Sequence, residues 1–176
     1  MKMDEKKLEL LKSLEAEYKE AEDIGEASIF TAKELDAPMD MLRAEIAAFG
    51  PDLVSVLGEF FFMPFEETEV IYFTSVITLS NTVPEESADD VAAAVARLNY
   101  YIPCGCYALG EDDKNLVFRY TVPIVGEDEK EHQISAVSIA ANTAIMTAER
   151  YMGYLKLILM NEVTVDEMIE MAKNGK

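Results

Sequence analysis

The chain has 176 residues, about the length of one domain. Half of the residues are hydrophobic and 28% are charged, a balance that argues against global disorder. The 15 basic and 34 acidic residues give a net charge of −19. This charge excludes a protein that holds nucleic acid through phosphate contacts, and it disfavours binding to anionic lipid. We therefore expect no nucleic-acid partner and no membrane partner.

The first residues of the sequence do not have the pattern expected of a signal peptide. Residues 1–9 contain no uninterrupted apolar segment, so they do not form a signal peptide. The longest apolar runs fall far short of the roughly 20 residues that a membrane helix needs. Cys104 and Cys106 are the only cysteines, too few for a disulfide framework. These features predict a soluble, cytoplasmic protein.

An amphipathic helix is predicted at the N-terminus, over residues 1–24. Its apolar stripe has spacings of three and four residues and consists of Leu8, Leu11, Leu14 and Tyr18. Gly25 is a typical helix stop. Residues 26–38 are mixed in character, and Pro38 interrupts them.

The next stretches predict a hairpin rich in aromatic residues. Met39–Phe49 fits both a helix and a strand, because periodicity does not decide so short a stretch. After the break at Gly50-Pro51, Leu53–Phe65 and Val70–Ser80 have the β-branched and aromatic composition of strands. The polar residues 66–69 between them predict a turn and antiparallel pairing.

A helix and a second hairpin follow. Ser87 is predicted to cap the helix, with acidic residues in its first turn. The apolar stripe of this helix consists of Val91, Val95, Leu98 and Ile102. Pro103 ends the helix. Cys104–Leu109 and Leu116–Ile124 then flank a polar turn, and the second of them alternates with a period of two.

One long helix is predicted from Gln133 to Met160. At about 1.5 Å per residue it exceeds 40 Å, more than a domain of this size needs, so part of it could lie against a neighbour. Residues 162–176 are predicted to form a short helical appendage, begun by a capping box from Thr164 to Glu167. The fold class is α+β: one domain over residues 1–176, with an antiparallel sheet of about five strands in the order α-βββ-α-ββ-α, followed by the last helix.

Both faces of the first hairpin are apolar. Phe60 and Phe62 point one way, and Leu57, Phe61 and Met63 point the other. In the partner strand Val70, Tyr72 and Val76 oppose Ile71, Phe73, Ile77 and Leu79. Helices can cover one face, and the second face requires the N-terminal helix, a second copy or a client chain. The alternative is that the chain's own helices enclose the sheet on both sides.

The charge is distributed unevenly. Residues 44–96 contain ten acidic side chains and no Lys, Arg or His. An apolar sheet face with a rim of carboxylates would attract a protein client with apolar and basic segments. The alternative is that the negative charge only keeps the protein in solution.

Few residues are candidates for chemistry. Cys104 and Cys106 would face the same side of a strand, as a redox or soft-metal pair requires, but packing in the strand is the favoured interpretation. His132 lies in a polar run and is interpreted as a solvated residue at a helix start. Asp89-Asp90 and Asp112-Asp113 lack the spacing of a calcium loop. We therefore predict no catalytic residue, no metal site and no cofactor.

The chain resembles a known family through several short stretches. These are 60–64 and 70–73 of the first hairpin, Leu98-Asn99, 102–105, and 116–120, which ends in Arg119-Tyr120. The order of elements is similar to the type III secretion chaperone-like fold, in particular its YbjN-like branch. The resemblance implies that Met39–Ile46 is the first strand. It also implies a small acidic protein that forms a homodimer, has no catalytic residues, and either binds other proteins or has an unassigned regulatory role.

The leading hypothesis is a non-enzymatic, chaperone-like protein-binding module. Its predicted partner-binding residues belong to the first hairpin: Phe60, Phe61, Phe62, Met63, Tyr72 and Phe73. The alternative is a small-ligand sensor with a pocket between the long helix and the sheet. A third hypothesis, a small enzyme, requires a cluster of titratable groups in a cleft.

Overall fold

The computed structural model describes residues 3–65, 69–110, 115–126 and 128–174. The elements in chain order are α1 (Met3–Glu20), β1 (Ile24–Phe30), α2 (Ala32–Leu35), β2 (Met41–Phe49), β3 (Val54–Phe62), β4 (Val70–Ser80), α3 (Ala88–Leu98), β5 (Cys106–Leu109), β6 (Leu116–Val125), α4 (Lys130–Leu159) and α5 (Val165–Asn174). A single 3-10 turn, Glu85–Ser87, precedes α3.

The strands form one antiparallel sheet in the order β1-β2-β3-β4-β6-β5. The predicted α+β class is confirmed, and so are both hairpins. The expected turns at 66–68 and 111–114 lie outside the described residues. Within Met39–Phe49, which fitted two structures, Met41–Phe49 is strand β2; it is the second strand and not the first, as the resemblance implied, because Ile24–Phe30 precedes it.

The sheet has six strands where about five were expected, because β1 was not predicted. A bulge between Ile24 and Ala27 shifts the phase of this strand, so its apolar residues do not alternate regularly along the sequence. A second capping box was also overlooked. Thr31 and Glu34 bond reciprocally at the start of α2.

The predicted helix caps have different outcomes. At the start of α5 the Thr164 backbone N–H donates to Glu167 at 2.8 Å, and the Glu167 N–H donates to the Thr164 hydroxyl at 3.3 Å, which confirms that capping box. Ser87 precedes α3 as expected, but its hydroxyl donates to the Pro84 carbonyl and does not cap the helix.

The helices form a layer on one side of the sheet. α1 packs on β1, β2 and β3, α4 packs on β4 and β6, and the two helices contact each other. The Tyr18 ring meets Phe60 edge to face at 5.4 Å, and the Tyr107 hydroxyl donates to the Ala148 carbonyl at 2.7 Å. α5 packs on α3 and α4 and buries Met168 and Ile169, so it belongs to the core and is not an appendage.

Candidate functional site

The side of the sheet away from α1 and α4 is a continuous surface. We call this side of the sheet the outer face. The strand register identifies its residues, because residues paired across antiparallel strands project to the same side. Its residues include Phe30, Met41, Arg43, Glu45, Leu57, Glu59, Phe61, Met63, Tyr72, Thr74, Val76, Thr78, Cys106, Val117, Arg119 and Thr121.

No described helix covers the outer face. Of the three covers considered for the second apolar face, the N-terminal helix is excluded, since α1 lies beside α4 on the opposite side. Enclosure of the sheet by the chain's own helices is likewise wrong for the described residues. Large apolar side chains therefore meet solvent here: Leu57 is 40% exposed and Tyr72 is 38% exposed.

The predicted partner-binding residues divide between the two sides of the sheet. Phe61, Met63 and Tyr72 belong to the outer face and are half-buried or exposed. The prediction is wrong for the other three residues, which are Phe60, Phe62 and Phe73. Their side chains lie in the core beneath the helices, at most 2% exposed, and cannot contact a partner. The division arises because successive side chains of a strand point to opposite faces of the sheet.

The outer face is electrically balanced, although the chain is strongly acidic. Arg43 pairs with Glu59 at 2.9 Å, and its guanidinium lies 5.6 Å from the Phe30 ring. Arg119 and Glu45 are exposed on the same face. The expected rim of carboxylates alone is therefore wrong. Both arginines lie outside residues 44–96, and strand pairing brings them beside the acidic hairpin.

The two cysteines do not form a pair. The Cys104 thiol lies 3.6 Å from the Thr147 hydroxyl of α4, whereas Cys106 is exposed on the outer face opposite Arg119. The expectation that both thiols face one side is wrong, because the strand begins only at Cys106. Gly105 turns the chain between them with a φ of 72°. No redox or soft-metal pair results.

Gly105→Ala is expected to destabilise the protein by about 2 kcal/mol or more. An added Cβ would lie 2.8 Å from the Arg119 carbonyl oxygen and against the Phe118 ring. The positive φ adds strain for any residue other than glycine. Chemical denaturation measures the loss. Gly153→Ala, a change on α4 where the added Cβ meets only Pro51 at an ordinary contact distance of 3.9 Å, is the control, and equal stability of the two variants would contradict the assignment.

The other candidates for chemistry remain isolated. Among the described residues no group of three or more His, Cys, Asp or Glu side chains is arranged to hold a metal ion. His132 is exposed in the first turn of α4, and Asp89 and Asp90 lie in the first turn of α3. Asp112 and Asp113 lie outside the described residues.

Three clefts among the described residues lie away from the contact between the long helix and the sheet, where a sensor pocket was predicted. Packed alanines of α4 occupy the contact between this helix and the sheet: Ala140, Ala141, Ala144 and Ala148. One cleft of about 380 Å³ lies between α1 and the ends of β2 and β3, with Lys7 and Asp40 in its wall. Two more, of about 420 and 230 Å³, lie along α4.

Comparison with known proteins does not assign the chain to a family. The chain matches no model of a protein family, no characterised protein and no solved structure. Within the described residues, no helix is long and apolar enough to cross a bilayer. The similarity to the secretion chaperone-like fold thus stays a prediction.

Proposed function

We propose that the chain is a non-enzymatic protein-binding module that forms a homodimer through the outer face. The observation that carries the proposal is the uncovered face of a six-stranded sheet whose long helices, α1 and α4, pack on the other side. Large apolar side chains gathered on an uncovered sheet face, here Leu57, Phe61 and Tyr72, are typical of an interaction site. A chaperone-like or regulatory role, as the family resemblance implies, would operate from this dimer.

The local balance of charge on the outer face is compatible with a second copy as the occupant, although the net charge of the chain opposes association. Two chains of −19 repel each other, so self-association requires a contact surface that does not add to the repulsion. Two arginines and two glutamates balance on the outer face, which are Arg43, Arg119, Glu45 and Glu59. A two-fold axis brings a surface against itself, so each positive group can meet a negative group of the other copy.

The size of the face is also adequate. Six strands about 4.8 Å apart span roughly 25 Å, and β3 and β4, with four outer-face residues each at intervals of about 7 Å, span roughly 20 Å, which gives an upper bound on the order of 500 Å² between Cα atoms. Side-chain relief increases the area that contact would bury. The result approaches the roughly 800 Å² per partner of a standard interface.

Phe61→Asp is expected to convert the dimer to a monomer. A carboxylate at this position would be buried without a partner in the seam, which costs about 3 kcal/mol and weakens association by roughly 100-fold. Its cross-strand neighbours are Met41 and Thr74, so no acidic side chain opposes it within the fold. Sedimentation at micromolar concentration would show the mass fall from twice 19.7 kDa to 19.7 kDa.

The matched control is Ile139→Asp, which changes an apolar side chain of α4 that is 63% exposed on the helix side. It should leave the dimer intact. Tyr72→Asp is a second variant on the outer face and should act as Phe61→Asp does. A wild-type monomer under these conditions would refute the proposal, and so would a dimer that survives both outer-face changes.

A further inference from the structure

The solvent side of α4, together with its C-cap residue, carries a stripe of half-buried and exposed residues with the spacing of a coiled coil. From Ile139 to Met160 it advances by four and three residues in turn. We call it the α4 stripe, and it consists of Ile139, Thr143, Met146, Arg150, Gly153, Leu157 and Met160. This repeat of 3.5 residues is the one that two packed helices share. Ile139, Met146 and Met160 are 63%, 69% and 54% exposed.

Packing within the chain does not account for this stripe. The residues of α4 that are buried against the sheet and the other helices include Val137, Ala141, Ala144, Ala148 and Leu155. At about 100° per residue they lie on the opposite side of the helix from the stripe. α4 therefore has two apolar sides, of which the fold uses one.

Gly153 is a second, independent sign of a partner. It is the only glycine in α4, and glycine within a helix is less stable than alanine. A Cβ added to it would meet only Pro51 Cγ, at 3.9 Å, which is ordinary contact. The described chain therefore has no need of glycine here. A helix lying on the stripe would need it, because small residues allow a shorter distance between helix axes.

Arg150, the middle residue of the stripe, indicates the charge of the partner. It takes part in none of the ion pairs between described residues, and its guanidinium lies 5.7 Å from the Tyr151 ring. It lines both clefts along α4, one beside Pro103 and one beside Pro51. A guanidinium at the centre of an apolar contact requires a carboxylate from the partner.

A second copy of the chain does not fit this stripe. A two-fold axis at its midpoint would place Arg150 against Arg150 of the other copy. The adjacent carboxylate, Glu149, accepts a hydrogen bond from the Gly50 backbone N–H at 3.3 Å and is held on the β2–β3 turn. Like charges would therefore meet at the centre of the contact.

We infer that the α4 stripe binds an amphipathic α-helix of a different protein, with a carboxylate in the middle of the apolar face of that helix. The inference rests on the proposed protein-binding function but not on the outer face, which lies on the other side of the molecule. The clefts beside Arg150 receive apolar side chains of the bound helix, and the surface at Gly153 receives its backbone.

Two synthetic peptides of about 21 residues test this inference on the full-length chain. Both carry leucine at the heptad core positions; one has Glu and the other Lys at the central position. Fluorescence anisotropy should show the Glu peptide binding at least about tenfold more tightly. Arg150→Glu should reverse this preference. Gly153→Leu should abolish binding, whereas Gly153→Ala should raise the melting temperature and weaken binding.

The controls separate this site from the outer face. Phe61→Asp should leave peptide binding unchanged even when it dissociates the dimer. Three results would overturn the inference: equal binding of the two peptides, a preference that Arg150→Glu does not change, or conversion of a wild-type dimer to a monomer by Met146→Glu. The last would mean that a second copy occupies the stripe. Failure of the homodimer proposal would instead appear in the sedimentation of the wild type and of Phe61→Asp.

Discussion

Phe73→Asp is expected to unfold the protein, while Tyr72→Asp, one residue earlier, leaves the fold intact. Phe73 is fully buried between Phe60, at 6.5 Å, and Phe62, at 5.3 Å between ring centres. Loss of a buried phenylalanine costs about 3–5 kcal/mol, and an unpaired buried carboxylate costs more. The sum is comparable with the whole stability of a typical domain, about 5–15 kcal/mol.

Circular dichroism and thermal melting measure this contrast. Tyr72 is 38% exposed on the outer face and meets Phe65 edge to face at 5.6 Å, so a carboxylate there stays hydrated in the monomer and should cost about 1 kcal/mol or less. Tyr72→Asp should melt cooperatively as a monomer. If both variants unfold, the outer face is part of a core; if both fold, the assignment of β4 to two faces is wrong.

The predictions from the sequence succeeded for elements whose composition or periodicity can be recognised without knowledge of their neighbours. The β-branched and aromatic run Val70–Ser80 has the same bounds in the structure, and α4 was predicted to within three residues at its start. The capping box at Thr164 is local chemistry and was recognised. β1 was not, because its bulge, together with Gly25 and Glu26, breaks the alternation that identifies a strand.

Two features could not be predicted from the sequence, because they depend on the tertiary structure: which residues become neighbours across the sheet, and which side of α4 faces solvent. The sequence separates Arg43, Glu59 and Arg119 widely, and only the register of β2, β3, β4 and β6 brings them into one row. The identity of the exposed side of α4 likewise depends on which side meets the sheet. When both sides of a helix carry apolar residues, the sequence alone does not show which side packs on the sheet and which side stays exposed. The 3.5-residue spacing from Ile139 to Met160 was the available signal.

Above pH 10 the stability of the protein is expected to fall steeply, because two tyrosines are buried. Burial raises the pKa of Tyr18, and the nearby Glu17 and Asp23 carboxylates raise it further. Burial likewise raises the pKa of Tyr107, with a smaller contribution from Tyr151.

The sign follows from proton binding in the two states. Between the ordinary tyrosine pKa near 10 and the raised folded value, the unfolded chain loses the phenolic proton while the folded chain keeps it. The unfolded state then binds fewer protons, so the free energy of unfolding decreases as the pH rises. Each tyrosine contributes roughly 1 kcal/mol per pH unit in this window, and its contribution to stability is fully present below pH 10.

Thermal melting of the wild type and of phenylalanine variants between pH 8 and pH 12 tests whether the buried tyrosines cause the loss of stability. Tyr18→Phe and Tyr107→Phe should each remove a large part of the tyrosine-dependent slope, and Tyr120, whose pKa is also raised by burial, contributes a further part. At neutral pH the two should differ: Tyr107→Phe loses the hydrogen bond to Ala148 and costs about 1–2 kcal/mol, whereas the Tyr18 hydroxyl has no partner among the described residues, so its removal should be neutral or stabilising. The control is Tyr100→Phe, whose ring is 85% exposed and meets water in both states. A slope that neither buried variant alters, or that Tyr100→Phe alters equally, would show that other groups cause the alkaline loss.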